Sequence, residues 1–158
     1  MSTPRGPRPI QAEDVNEIDR ILVPIDGSNC SGKAAQFAGR LAKRLSAEVH
    51  VLFVSETNYA GPWFYYMLDD AVSKKIRQRG RTIADEAAET LRESGVSDVE
   101  SHIEEGHPGE VIAEMAARLD ADLIVMGTHG RRGLERALMG SVAREVANVS
   151  TVPLLLVK

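Results

Sequence analysis

ADLIVMGTHGRRGLERALMGSVAREV, residues 121–146, is the stretch on which the reading of the fold turns. An apolar run, Leu123 to Met126, stops at Gly127; Gly130 and Gly133 follow, and Gly140-Ser141 opens an apolar-periodic segment. This reads as a buried strand, a glycine-bearing loop and the start of a helix. Glycine has no Cβ, so its backbone turns easily and a ligand can approach its N–H closely. A helix amino terminus presents unpaired N–H donors and a partial positive charge. Together they make a seat for a phosphate chain. The plainer reading, in which the glycines only shape a turn, stands beside it.

Working outward, the same alternation repeats on both sides. Upstream, His107-Pro108 starts a helix, with Pro108 suited to its first turn. Val111, Ile112, Met115, Ala116 and Leu119 give that helix a buried face. Residues 122–126 are then strand four. Downstream, the helix from Ser141 is expected to bury Val142, Val146 and Ala147, and residues 152–157 make strand five. Further upstream, residues 97–103 form a third strand that is less apolar than the others and so belongs near a sheet edge. Ile76, Ile83, Ala87 and Leu91 carry a helix to Ser94, with Gly95 as its stop. Trp63, Phe64, Tyr65 and Tyr66 form one block after a loop at 55–62. With no basic residues interleaved, the block fits a core cover or pocket cap better than a platform for stacked bases.

The first unit follows the same grammar. Residues 20–26, RILVPID, form a strand whose continuous apolar character suits burial on both faces. Pro24 removes a ladder donor, which matters less near the strand end. Ala34, Phe37, Ala38, Leu41, Ala42 and Leu45 place a helix over residues 30–46, and residues 48–54 are strand two. Five strands alternating with four helices imply a parallel α/β sheet covered on both faces and wound right-handedly. Strand order does not follow from the sequence. Residues 1–17, with Pro4, Pro7 and Pro9 set among Arg5, Gly6 and Arg8, read as a flexible arm.

Gly27 to Lys33 satisfies most of the P-loop pattern G-x-x-x-x-G-K-[ST], but the next residue is Ala34, which has no hydroxyl for Mg²⁺. Asp122 stands at the start of strand four, the wrong end to hold a metal at a phosphate site. A working P-loop is therefore disfavoured.

Composition narrows the field. A chain of 158 residues, 43% hydrophobic, fits one domain, residues 18–158. With 23 acidic against 19 basic residues, the net charge of −4 argues against a nucleic-acid binder. No apolar run is long enough to span a bilayer, and residues 1–18 contain no apolar signal core. The one cysteine, Cys30, cannot form an intrachain disulfide, which suits a cytoplasmic location.

The glycine spacing is particular: Gly127, two residues, Gly130, nine residues, Gly140-Ser141. Together with Val23-Pro24-Ile25-Asp26-Gly27-Ser28 and Val152-Pro153, it resembles the universal stress protein family, of the single-domain ATP-binding type, over residues 18–158. The resemblance implies a Rossmann-like, doubly wound, five-stranded sheet of order 3-2-1-4-5. In open α/β sheets ligands bind beyond the carboxyl ends of the strands where winding reverses, here between strands one and four. The family's site would then draw on Pro24, Ile25, Asp26 and Gly27 after strand one and Val54 after strand two. After strand four it would draw on Met126, Gly127, Thr128, His129, Gly130, Arg131, Arg132, Gly133, Gly140, Ser141 and Val142. Backbone N–H groups around Gly127, Gly130, Gly140, Ser141 and Val142 would hold the phosphates of ATP, with Mg²⁺ as a bridging ion. Asp26 and Gly27 would meet the adenosine, Val54 would line the adenine pocket, and Lys33 would be only a solvated helix residue. Asp26 as a simple turn residue, and Ser141 as a simple helix cap, are the local alternatives.

No dedicated general base is visible, so any ATP hydrolysis is expected to be slow. The resemblance implies a nucleotide-dependent stress-response protein, a homodimer through residues 152–157, with no catalytic and no metal-ligating side chains. Two rivals stay open: an interaction module of this fold that binds no nucleotide, and a nucleotide hydrolase or phosphotransferase.

Overall fold

The computed structural model describes residues 17–56, 70–129 and 139–158. The amino-terminal arm up to residue 16, the aromatic block 63–66, and Gly130, Arg131, Arg132 and Gly133 lie outside the described residues. In chain order the elements are β1 (Arg20–Ile25), α1 (Asn29–Leu45), β2 (Glu48–Ser55), α2 (Asp70–Glu93), β3 (Val99–Glu105), α3 (Pro108–Arg118), β4 (Leu123–Gly127), α4 (Ser141–Val149) and β5 (Leu154–Val157). The five strands form one sheet in the order β3-β2-β1-β4-β5, with every neighbouring pair parallel.

The unbroken apolar strands are explained by cover on both faces. Ile21, Val23, Val49 and Val51 pack with Ala34, Ala38, Ala42, Ala84, Ala88 and Leu91 of α1 and α2. Leu22, Leu52 and Ile124 pack on the other face with Ile112, Met115, Ala116, Ala143 and Val146 of α3 and α4. Successive residues of a strand point to opposite faces, so a strand covered twice must be apolar at every position. β3 lies at one edge, with Val99 buried, residues 101–104 half-buried and Glu100 and Glu105 exposed, as expected of an edge strand.

The β1–β4 ladder pairs Ile21 with Leu123 and Leu22 with Ile124, whereas β1 pairs with β2 as far as Ile25. Pro24 therefore lies beyond the paired part of the β1–β4 seam, where its missing N–H costs no ladder bond on that side. The seam opens toward its carboxyl end, between the strands where winding reverses.

Several boundaries and faces differ from the sequence reading. β3 begins at Val99 rather than residue 97, because the Asp98 carbonyl first accepts from Val49 N at 3.0 Å and pairing starts beyond it. β5 begins at Leu154 rather than residue 152: Val152 N donates to Ser150 Oγ at 3.0 Å, a local turn that keeps it out of the ladder. In α4 the buried pair is Ala143 and Val146; Ala147 faces solvent, one residue past the buried stripe. Leu45 and Ile76 are also exposed.

Candidate functional site

At the end of β1 the chain turns through Asp26, Gly27 and Ser28. Ser28 N donates to Asp26 Oδ1 at 2.9 Å, and Gly27 adopts φ 80°, a left-handed conformation that suits glycine. Ser28 caps α1 by accepting from Ser31 N at 3.1 Å. Asp26 thus shapes the turn, as the local alternative had it, while remaining half-buried at the strand end. Helix α1 already begins at Asn29, so most of the P-loop-like stretch is helix and no loop is left to wrap a phosphate. Lys33 is exposed on that helix, as the sequence suggested. Asp122 is occupied elsewhere, its Oδ2 accepting from Asp19 N at 3.0 Å and Arg20 N at 2.9 Å.

At the end of β4 the packing is tighter. A Cβ on Gly127 would come within 2.9 Å of the carbonyl carbon and Sγ of Cys30. Gly127 is thus required by the close approach of α1's first turn. Thr128 follows, buried, with its N donating to Val157 O at 2.9 Å and its carbonyl accepting from Gly140 N at 2.7 Å. Its hydroxyl lies 3.0 Å from His129 Nδ1. Cys30 Sγ donates to the same Val157 oxygen at 3.3 Å. The loop between Thr128 and Gly140 is therefore pinned at its base by a backbone hydrogen bond.

Two sequence expectations change here. The N–H of Gly140 is directed at Thr128 O, so it is not an open phosphate donor. Ser141 is the first helical residue and not the cap; the cap is Gly140, with φ −70°, ψ 163° and no side chain to satisfy the helix end. The first intrahelical bond is Arg144 N to Gly140 O at 3.0 Å. The amides of Ser141, Val142 and Ala143 consequently have no intrahelical acceptor, and the positive end of α4 is aimed out beyond β4.

The remaining candidates divide by face. Leu52 and Met126 belong to the α3/α4 layer, with Val54 packed against it, and Pro24 pairs in register with Leu52. These side chains share the side of the sheet from which α4 rises. Ile25 packs in the opposite layer with α1 and α2, so its side chain does not join them. Alternation along β1 dictates this, and a linear motif spanning residues 24–27 conceals it. Cys30 and Val157 help to build the seam and were not anticipated. Nothing in a lone cysteine at a helix start, or in the last apolar residue of an edge strand, signals such a contact.

The match to the family model described as the universal stress protein family runs over residues 17–158. This chain belongs to the universal stress protein family. Universal stress protein MJ0531 of Methanocaldococcus jannaschii is 35% identical over 149 residues, covering 90% of this chain and 84% of that protein. A solved universal stress protein in complex with cAMP shares 26% identity at a TM-score of 0.66, covering 90% of this chain and 98% of that one. The universal stress protein UspA from Lactobacillus plantarum, 22% identical, shares the fold at a TM-score of 0.79, covering 91% and 100%. As a universal stress protein the chain has the order β3-β2-β1-β4-β5 expected from the motif resemblance. Among the described residues, no helix is long and apolar enough to cross a membrane.

Proposed function

We propose that this universal stress protein binds ATP in the crevice between the carboxyl ends of β1 and β4, and acts as a nucleotide-dependent regulator of the stress response. The observation that carries the proposal is the uncapped amino terminus of α4, three amides with no intrahelical partner set where the sheet's winding reverses. The cAMP complex of a structural neighbour at 26% identity supports an adenine nucleotide as the ligand class.

In this reading the amides of Ser141, Val142 and Ala143 hold the phosphates, joined by the loop residues Gly130, Arg131, Arg132 and Gly133 and the backbone of His129. Asp26 and Gly27 meet the adenosine, and Pro24, Val54 and Met126 flank the base. Gly127 acts by letting α1 come close. Mg²⁺, brought in with the nucleotide, would offset the phosphate charge. Three hydrogen bonds to a charged group, each contributing about 1.5–3 kcal/mol, together with burial of the adenine and less the association cost, reach roughly the 8 kcal/mol of micromolar binding. That suits a sensor of an abundant nucleotide. Fast hydrolysis would need a placed water and stabilised charge at the γ-phosphate, and the assigned groups supply binding rather than a base. The protein works in the cytoplasm as a homodimer paired through residues 152–157, where β5 leaves a half-buried edge.

Equilibrium dialysis with labelled ATP tests the reading. The native protein should bind with micromolar affinity, and Gly140→Arg, which sets a long side chain over the open amides, should weaken binding about a hundredfold or more. A native protein that retains no ATP would favour a pure interaction module. A Gly140→Arg variant that binds as well as the native chain would move the site elsewhere.

A further inference from the structure

Toward the amino ends of β2 and β3, away from the crevice, polar side chains meet on the face that carries Leu52. Parallel register sets Leu22, His50 and Glu100 in one row and Pro24, Leu52 and His102 in the next. His50 is buried in a strand otherwise apolar at its centre. Its Nε2 lies 2.5 Å from Glu48 Oε1, which also accepts from Arg20 Nε at 2.5 Å. Arg20 is tied in turn to the Leu119 carbonyl. The other ring nitrogen, Nδ1, lies 2.9 Å from His102 Nε2. Glu100 Oε2 stands 3.7 Å from His50 Nδ1 and 3.8 Å from His102 Nε2. Arg118 pairs with Glu104 nearby on β3.

The chemistry of this arrangement is specific. Glu48 Oε1 accepts from Arg20 Nε and lies against His50 Nε2, so Nε2 is the ring nitrogen whose hydrogen faces the carboxylate. The Nδ1 lone pair of His50 then points at His102. Two imidazole nitrogens this close need a proton or a cation between them. A point equidistant from the two nitrogens and the Glu100 oxygen lies about 2.0 Å from each, the Zn–N and Zn–O bond length. Among the described residues, these three form the one group of donor atoms close enough to share an ion.

We propose that His50 Nδ1, His102 Nε2 and a Glu100 oxygen bind a divalent transition metal of the zinc class, with Glu48 as the outer carboxylate that orients His50. Two imidazoles and one carboxylate favour zinc over magnesium or calcium, which take all-oxygen shells. A carboxylate behind a ligating histidine fixes its tautomer and strengthens it as a donor. The Glu100 side chain is 64% exposed, which leaves the ion a route from solvent and a water as fourth ligand. The ion clips the edge strand β3 to β2.

The test uses the full chain stripped with a chelator, titrated with Zn²⁺ by calorimetry and with Co²⁺ by visible absorption. One Zn²⁺ should bind per chain, Co²⁺ should give the intense visible bands of a tetrahedral site, and Zn²⁺ should raise the melting temperature. Glu48→Gln should weaken binding about ten- to a hundredfold, the usual effect of losing an outer-shell partner. Glu100→Gln, which alters an exposed side chain and leaves the fold intact by circular dichroism, should weaken it further, and His102→Gln should remove the cobalt bands. His107→Ala should change nothing. No saturable Zn²⁺ binding in the native chain, or undiminished binding in Glu100→Gln, overturns the proposal and leaves a proton-bridged histidine pair.

Discussion

The two ends of this sheet are built in opposite ways. At the carboxyl end, the crevice is made largely of backbone: an uncapped helix terminus, a glycine admitting Cys30, and a carbonyl pinning Gly140 N. Toward the amino end of β2 and β3, the cluster is made of side chains, and Arg20, Glu48, His50, Glu100 and His102 each act through a functional group. The first kind of site leaves a spaced glycine pattern in one stretch of chain. The second leaves residues about fifty positions apart that only strand register brings together. A site made of amides should tolerate loss of side chains but not addition of bulk, and a site made of side chains should show the reverse.

The largest effect should come where the two regions share support. Leu52 is fully buried, lies in the row of Pro24 and His102, and packs under α3. Leu52→Ala should cost about 2–5 kcal/mol in urea unfolding, and both ligand affinities should fall with it. Next, Gly140→Arg should weaken ATP binding about a hundredfold or more, close to 3 kcal/mol, while Zn²⁺ affinity stays level in the same calorimetric runs. Gly127→Ala follows, with about 1–3 kcal/mol lost in a thermal melt because the added methyl meets Cys30 backbone. Ser141→Ala sharpens the contrast: if amides rather than the hydroxyl hold the phosphates, ATP affinity should change by about 1 kcal/mol or less. Smallest of all, Lys33→Ala should leave ATP affinity and stability within about 0.5 kcal/mol, since the residue is an exposed helix position.

Much of the fold was legible because its signals are periodic. Strands buried twice read as unbroken apolar runs, and Ala34, Ala38 and Ala42 announce the inner face of α1. Gly95, at φ 96°, ends the turn after α2 as its position suggested. The adjacency of β1 and β4 was not in the pattern; it came with the motif resemblance, and the structure bears it out. Strand starts slipped where a polar side chain or a flanking carbonyl decided pairing, as at Ser150 and Asp98. In the crevice, the motif spacing did not reveal which atoms are already engaged: Gly140's N–H serves Thr128, and Ile25's side chain faces the other layer. His50 carried a faint signal, a lone imidazole inside EVHVLFV, yet its partners could be named only once β2 and β3 were set in register.

The carbonyl oxygen of Val157 receives both Thr128 N and Cys30 Sγ. One acceptor on the outermost strand thus rivets the two lips of the crevice, the turn after β4 and the head of α1. Both lips are thereby tethered to the same strand end. A force on the final strand, from a neighbouring chain or a cut before Val157, would reach the crevice through this acceptor as well as through the β4–β5 ladder.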